Sequence, residues 1–231
     1  MVQQPLKVLI HLHPSLDTLD FTGPLELLSH STWVPTADSD TPAEKVFQTT
    51  ITAVNEYTTT GQNLTVKRHI PVSEAYTTLA NYDVLIIPGG ASPAVLEGKT
   101  EPLGLIKAFA ALPRRHDGRT RYLLSVCTGS LFLAEAGALE GLSATTHEAY
   151  YGKLREIVGA KGEGYGGTKV LEERFVVNRV SEEKGLRVVT SGGVSCGLDA
   201  SLWLVEEVAG KEARERAAQI VQYAWREGVV L

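Results

Sequence analysis

RYLLSVCTGSLFLAEAGAL, from Arg121 to Leu139, decides how the chain folds. Its first half is a nearly continuous apolar run carrying Tyr122, Leu123, Leu124 and Val126, the signature of a strand buried on both faces. From Ser130 onward the apolar residues take a helical spacing. Only Cys127, Thr128 and Gly129 lie between, so the strand passes into the helix with no linker. The pattern Ser125-x-Cys127-x-Gly129 has the small-residue spacing of a nucleophile elbow, a sharp turn that projects a reactive side chain above a sheet.

The same grammar extends in both directions. KVLIHLH (from Lys7) and DVLIIPGG (from Asp83) read as buried strands, and Val46–Val54 alternates as a half-buried one. TTTGQNLTVKRHI (from Thr58) reads as a hairpin around Gly61, and FVVNRVS (from Phe175) and RVVTSGG (from Arg187) as two more strands. Helical patterns cover Phe21–His30, with Pro24 in a first turn, Pro102–Leu112 and His147–Val158. Cys196 to about Glu227 reads as one or two amphipathic helices. PRRHDGRT (from Pro113) is a polar link, GAKGEGYGGTK (from Gly159) a glycine-rich one, and the acidic Pro35–Glu44 a surface insertion. Apolar strands alternating with helices predict an α/β fold, a doubly wound parallel sheet sandwiched by helices, as a single domain over residues 1–231.

Composition narrows the function. The 231 residues carry 22 basic and 27 acidic side chains, a net charge of −5, with 43% hydrophobic and 21% charged residues. That balance excludes a disordered or fibrous chain, and the lack of a basic run weighs against nucleic acid or an anionic membrane as partner. No window approaches 18 apolar residues and the N-terminus lacks a signal-peptide pattern, so neither a membrane span nor a leader is expected. Two cysteines are too few for a disulfide framework, which points to a reducing, cytoplasmic setting. The histidines do not cluster with Cys, Asp or Glu at metal-ligand spacing, and neither G-x-G-x-x-G nor a P-loop lysine follows a strand. No metal and no cofactor are therefore expected, and the partner is a small-molecule substrate.

Ligands collect at the carboxyl ends of strands in such a sheet, and Cys127 stands there. A thiol facing a helix N-terminus is expected to titrate below the ~8.5 of a free thiol. Asp20, in the loop after the first strand, shares that edge and reads equally as a carboxyl able to meet the sulfur or as a helix N-cap. Glu26, on the same helix, is the rival carboxylate. Thr128 is either a substrate- or Asp20-binding hydroxyl or a first-turn residue satisfying its own backbone. Gly89 and Gly90 read as a backbone N–H nest for an oxyanion or as plain turn geometry, and Gly192-Gly193 likewise with less weight. His147 can reach a pocket rim but reads as structural, and Cys196 as a packing residue ahead of Leu198, Leu202 and Val205.

The segments LDFTGPLELLS (from Leu19), VLIIPGG (from Val84), VCTGSLFLAEAGALEGLSATTH (from Val126) and TSGGVSCGLDASLWL (from Thr190) together resemble the ThiJ/PfpI superfamily, and within it the isocyanide hydratases. They also resemble the ligand-binding domains of AraC-type regulators. The resemblance implies a flavodoxin-like sandwich, a homodimer, Cys127 as nucleophile and Asp20 as acid. It implies hydration of isocyanides to formamides through a covalent thioimidate. The alternatives are a cysteine-dependent stress or glyoxalase-type enzyme and a ligand-sensing module. PfpI-type proteases carry histidine where Thr128 stands, which weakens a peptidase reading. Cys196 and the Pro35–Glu44 insertion depart from the pattern.

Overall fold

The computed structural model describes residues 4–33, 44–162 and 167–231. In chain order, Leu6–Leu12 is β1, Thr18–His30 α1, Phe47–Ala53 β2, Tyr57–Thr59 β3, Thr65–Lys67 β4, Ile70–Pro71 β5 and Val72–Thr78 α2. Val84–Ile87 is β6, Ser92–Gly98 α3, Leu103–Ala110 α4, Arg121–Ser125 β7, Gly129–Glu135 α5, Ser143–Ala144 β8 and Tyr151–Ala160 α6. Lys169–Val170 is β9, Phe175–Val177 β10, Leu186–Ser191 β11, Cys196–Ala209 α7, Lys211–Ile220 α8 and Val229–Val230 β12.

Eight strands form the main sheet in the order β12-β10-β11-β7-β6-β1-β2-β5. The central strands are parallel and largely apolar, with Leu85 opposite Leu9 on one side and Leu123 on the other. Alternation splits their side chains between two cores. Val8, Ile10, Val84 and Leu124 pack with Phe21 and Leu28 of α1 and Ala200 and Leu204 of α7. Leu9, Leu85, Ile87 and Leu123 pack with α4, α5 and α6 through Phe109, Phe132 and Leu154. The expected α/β sandwich is therefore present, covered on both faces.

The chain leaves β1 toward β2 on one side and later returns to β6 on the other. The direction of winding thus reverses between β1 and β6, where an open parallel sheet leaves a crevice at its carboxyl edge. An antiparallel bridge between Leu16 and Gly90 ties the two loops that border this point.

Several elements differ from the sequence reading. β10 is antiparallel to β11, because the short connection between them allows a return but not a crossover. β12, α2 and α3 are too short for periodicity to reveal, and β8 and β9 form a two-residue parallel pair off the main sheet. The predicted hairpin is present, with Thr58 opposite Val66. α1 starts three residues earlier than its apolar pattern, so Pro24 lies inside it and removes the N–H that would bond the Asp20 carbonyl. Apart from Glu44, the predicted insertion Pro35–Glu44 lies outside the described residues, as does the middle of the glycine-rich link.

Candidate active site

The turn between β7 and α5 holds Cys127 at φ +56°, in the left-handed region that a side chain other than glycine occupies at a cost of about 1–2 kcal/mol. Its surroundings fix that conformation. The Cys127 N–H donates to Gly192 O at 2.9 Å, and its carbonyl accepts from the hydroxyls of Thr146 (3.1 Å) and Ser130 (3.3 Å). Gly129 must lack a side chain, since a Cβ there would lie 2.3 Å from Ile87 O. The elbow expected from Ser125-x-Cys127-x-Gly129 is thus built and braced, with Cys127 6% exposed.

Asp20 lies in the first turn of α1. The N-cap is Asp17, whose carboxylate accepts the Leu19 N–H at 3.1 Å and is held by Gln62 from the hairpin at 2.9 Å. Asp20 is therefore free of that duty. It is completely buried, and its Oδ2 accepts the Gly89 N–H at 2.9 Å. Its Oδ1 has no hydrogen-bond partner, and the Cys127 thiol is near enough to lower the carboxyl's pKa. Of the two carboxylates weighed, only this one reaches the elbow. Glu26 lies on another face of α1, 62% exposed and paired with His30 at 2.9 Å, because six residues along a helix do not return to the same side.

Burial pushes the Asp20 carboxyl up to about 7, helped by the charge of Asp17 and opposed by the Gly89 N–H and the thiol. The expectation of a depressed thiol pKa is overturned. Burial first, then the Asp20 charge, pushes Cys127 up to about 12, against the Thr128 and Val194 N–H groups directed at the sulfur. Those donors and the seven-residue α5 are outweighed by the loss of water around the thiol. The resting pair is a neutral thiol against a carboxyl that titrates near neutrality.

Gly89 and Gly90 are at the site, but their N–H groups are not an open oxyanion nest. The Gly89 N–H is held by Asp20, and the Gly90 N–H donates to Thr128 Oγ1 at 2.9 Å. The Thr128 hydroxyl donates back to Gly90 O at 3.2 Å, so it clamps this loop and does not bond Asp20. Close approach requires Gly89, where a Cβ would stand 2.5 Å from Thr128 Oγ1. The backbone donors that face the sulfur belong to Thr128 and Val194; sequence reading missed Val194, in the SGGVS segment after β11, whose place at the same sheet edge was the available signal.

A cleft of about 500 Å³ opens beside the elbow, lined among others by Leu19, His147, Tyr151, Arg174, Gly193 and Cys196. His147 lines it, where Nδ1 accepts the Ala149 N–H at 3.2 Å and caps a single helical turn. Cys196 opens α7 and is half-buried in the cleft wall, more accessible than a packing residue. Arg174 pairs with the buried Asp199, which also accepts from Tyr223 at 3.0 Å and the Arg226 N–H at 2.8 Å. Among the described residues no group of three or more His, Cys, Asp or Glu could hold a metal ion, and no helix is long and apolar enough to cross a membrane.

A strained cysteine at the carboxyl edge of a doubly wound sheet, with a buried acid from the first crossover against its thiol, defines a class of α/β thiol proteins. The chain belongs to the DJ-1/PfpI family, which it matches over residues 6–207. It is similar to the isonitrile hydratase of Pseudomonas putida, with 28% identity over 92% of this chain and 76% of that one. Its fold resembles a ThiJ/PfpI family protein from Pseudomonas syringae (TM-score 0.70, 22% identity, 97% of this chain and 77% of that one). It also resembles DJ-1beta of Drosophila melanogaster (TM-score 0.68, 17% identity, 96% and 100% covered).

Proposed function

We propose that the protein is an isocyanide hydratase, adding water to R–N≡C to release an N-substituted formamide. The observation that carries this reading is the pairing of Cys127 with Asp20, an acid of pKa about 7, as its titratable side-chain partner. Similarity to an isonitrile hydratase over most of the chain supports it.

The raised thiol pKa shapes the mechanism. As Sγ attacks the terminal isocyanide carbon, its proton passes to Asp20, whose pKa near neutrality suits a group that both takes and gives a proton. Asp20 then protonates the same carbon, leaving the thioimidate R–N=CH–S–Cys127. Water adds across the C=N bond, Asp20 moving its proton, to give R–NH–CH(OH)–S–Cys127. Collapse breaks the C–S bond, releases R–NH–CHO and returns the proton to sulfur. Covalent capture divides one difficult hydration into two steps. The Thr128 and Val194 N–H groups stabilise charge on sulfur during attack and release. Thr128 and the Gly89-Gly90 turn hold the carboxyl in place, and Leu19 and Tyr151 give the cleft apolar surface for R.

The test is incubation with an aryl isocyanide, with formamide followed by chromatography, for wild type, Cys127→Ala and Asp20→Asn. Turnover by wild type and by neither variant is expected. Consumption of methylglyoxal with no formamide selects a glyoxalase-type enzyme, and saturable isocyanide binding without product selects a sensor.

A further inference from the structure

Two buried histidines stand at the end of β1, and the proposed chemistry uses neither. His11 follows Leu9 by two residues and so faces the α4–α5 side of the sheet, where both of its ring nitrogens lack a hydrogen-bond partner. Burial lowers it to about 3, so it stays uncharged. His13, just beyond the strand, is equally buried, but each of its nitrogens faces a backbone carbonyl. Nδ1 lies 3.1 Å from Pro14 O and Nε2 lies 3.3 Å from Pro88 O. The ring stands at 89° to that of Phe132, with centroids 5.2 Å apart, and this edge contact sets its plane.

Burial decides which carbonyl receives the proton. It holds the His13 imidazole below its ordinary range, so the neutral ring offers one N–H. Pro14 is exposed, and water can serve its carbonyl. Pro88 is buried, and among the described residues its carbonyl has the His13 ring as its hydrogen-bond partner. Buried acceptors are rarely left unmatched, so the proton belongs on Nε2.

That bond leads to the acid. The Pro88 carbonyl and the Gly89 N–H are the two ends of one peptide group, and the Gly89 N–H donates to Asp20 Oδ2 at 2.9 Å. A hydrogen bond accepted by a carbonyl polarises its peptide and strengthens what the N–H donates, by about 10–30% per bond. A carboxylate is the acceptor that gains most from such a donor. The ionisable neighbours of the ring are His11 and Glu101, which line with it a small cavity of about 200 Å³, and those of the carboxyl are Asp17 and Cys127.

We infer that His13 is a positioning residue: its Nε2–H, acting through the Pro88–Gly89 peptide, orients and strengthens the hydrogen bond that holds Asp20 in its ionised form. Its effect on turnover rests on the hydratase reading, whereas the relay itself does not.

The test titrates Asp20 in protein carrying ¹³C at the aspartate carboxyls, its resonance identified by its absence in Asp20→Asn, for wild type, His13→Phe and His13→Gln. His13→Phe keeps a ring against Phe132 and removes the donor, while the Gln amide presents an N–H where Nε2 stands. The Asp20 midpoint is expected to rise in His13→Phe by about half a pH unit, roughly a threefold change in proton affinity, and to return to the wild-type value in His13→Gln. The acid limb of kcat/KM for an aryl isocyanide moves up with it, leaving the plateau at high pH in place. In wild type, two-bond ¹H–¹⁵N correlation on the histidine rings places the His13 proton on Nε2, a reading that needs no variant to fold. A proton on Nδ1, an unmoved Asp20 midpoint in His13→Phe, or equal movement in both variants overturns the relay. Absence of formamide with wild type alongside the expected midpoints refutes the hydratase reading and leaves the relay standing.

Discussion

Replacing Asp20 by Asn separates the carboxyl's chemistry from its energetic burden on the fold. The Asn side-chain oxygen can still accept the Gly89 N–H, so the loop contact survives while the charge is gone. In the folded chain the carboxyl titrates at about 7, raised from 3.8 chiefly by burial. Such a group binds its proton more tightly folded than unfolded, so its ionisation costs nothing below about pH 4 and its full amount above about pH 7. Roughly three pH units at ~1.36 kcal/mol each put that amount at about 4 kcal/mol. The variant should match wild type in stability near pH 4 and exceed it progressively as pH rises, by about 4 kcal/mol at pH 8. For a chain of this length that is about 8–16 °C in melting temperature. Urea unfolding of both proteins across this range measures the difference directly, and effects of other groups cancel in it. A difference that does not vary with pH, or a variant less stable at pH 8, would refute the burial argument. The same variant should lose isocyanide turnover, so added stability comes with lost activity.

Three further outcomes follow from the same geometry. The kcat/KM for isocyanide should rise with pH through an apparent pKa of about 7, because Asp20 must be free to accept the thiol proton; a pH–rate profile flat from 5 to 9 contradicts this. Thr146→Val removes a brace on the Cys127 carbonyl, so it should cost about 1–2 kcal/mol and lower kcat while leaving the acid limb in place. Full retention of kcat would show that the elbow does not need this support. Arg174→Leu withdraws the cation from Asp199, which stays fully buried with two remaining partners, and should destabilise by about 3 kcal/mol in urea titration. A loss below about 1 kcal/mol would mean those partners suffice.

Central strands and the elbow were legible because burial on both faces leaves a run of apolar residues with no polar interruption, as in Val84–Ile87 and Tyr122–Leu124. α2, α3 and β12 were not, since two to seven residues cannot establish a period. The meeting of Asp20 and Cys127 follows from loops sharing one sheet edge, which topology dictates. The direction of the thiol's pKa shift does not, because it depends on how completely the folded surroundings exclude water. Asp20 and Glu26 are both carboxylates near or on α1, and the helical phase that turns Phe21, Pro24, Leu27 and Leu28 inward decides which of them is buried. Orphan atoms such as those of His11 carry no sequence signal at all, since being unmatched is a property of neighbours.

The two buried groups on opposite sides of the sheet oppose one another as acidity changes. Between about pH 6.5 and 4, folding is penalised increasingly for keeping His11 uncharged and is relieved of the penalty on Asp20. One group holds fewer protons than it would in the open chain and the other holds more. In a mildly acid medium these two contributions to stability therefore largely offset each other, while one flank keeps a carboxyl that titrates near neutrality.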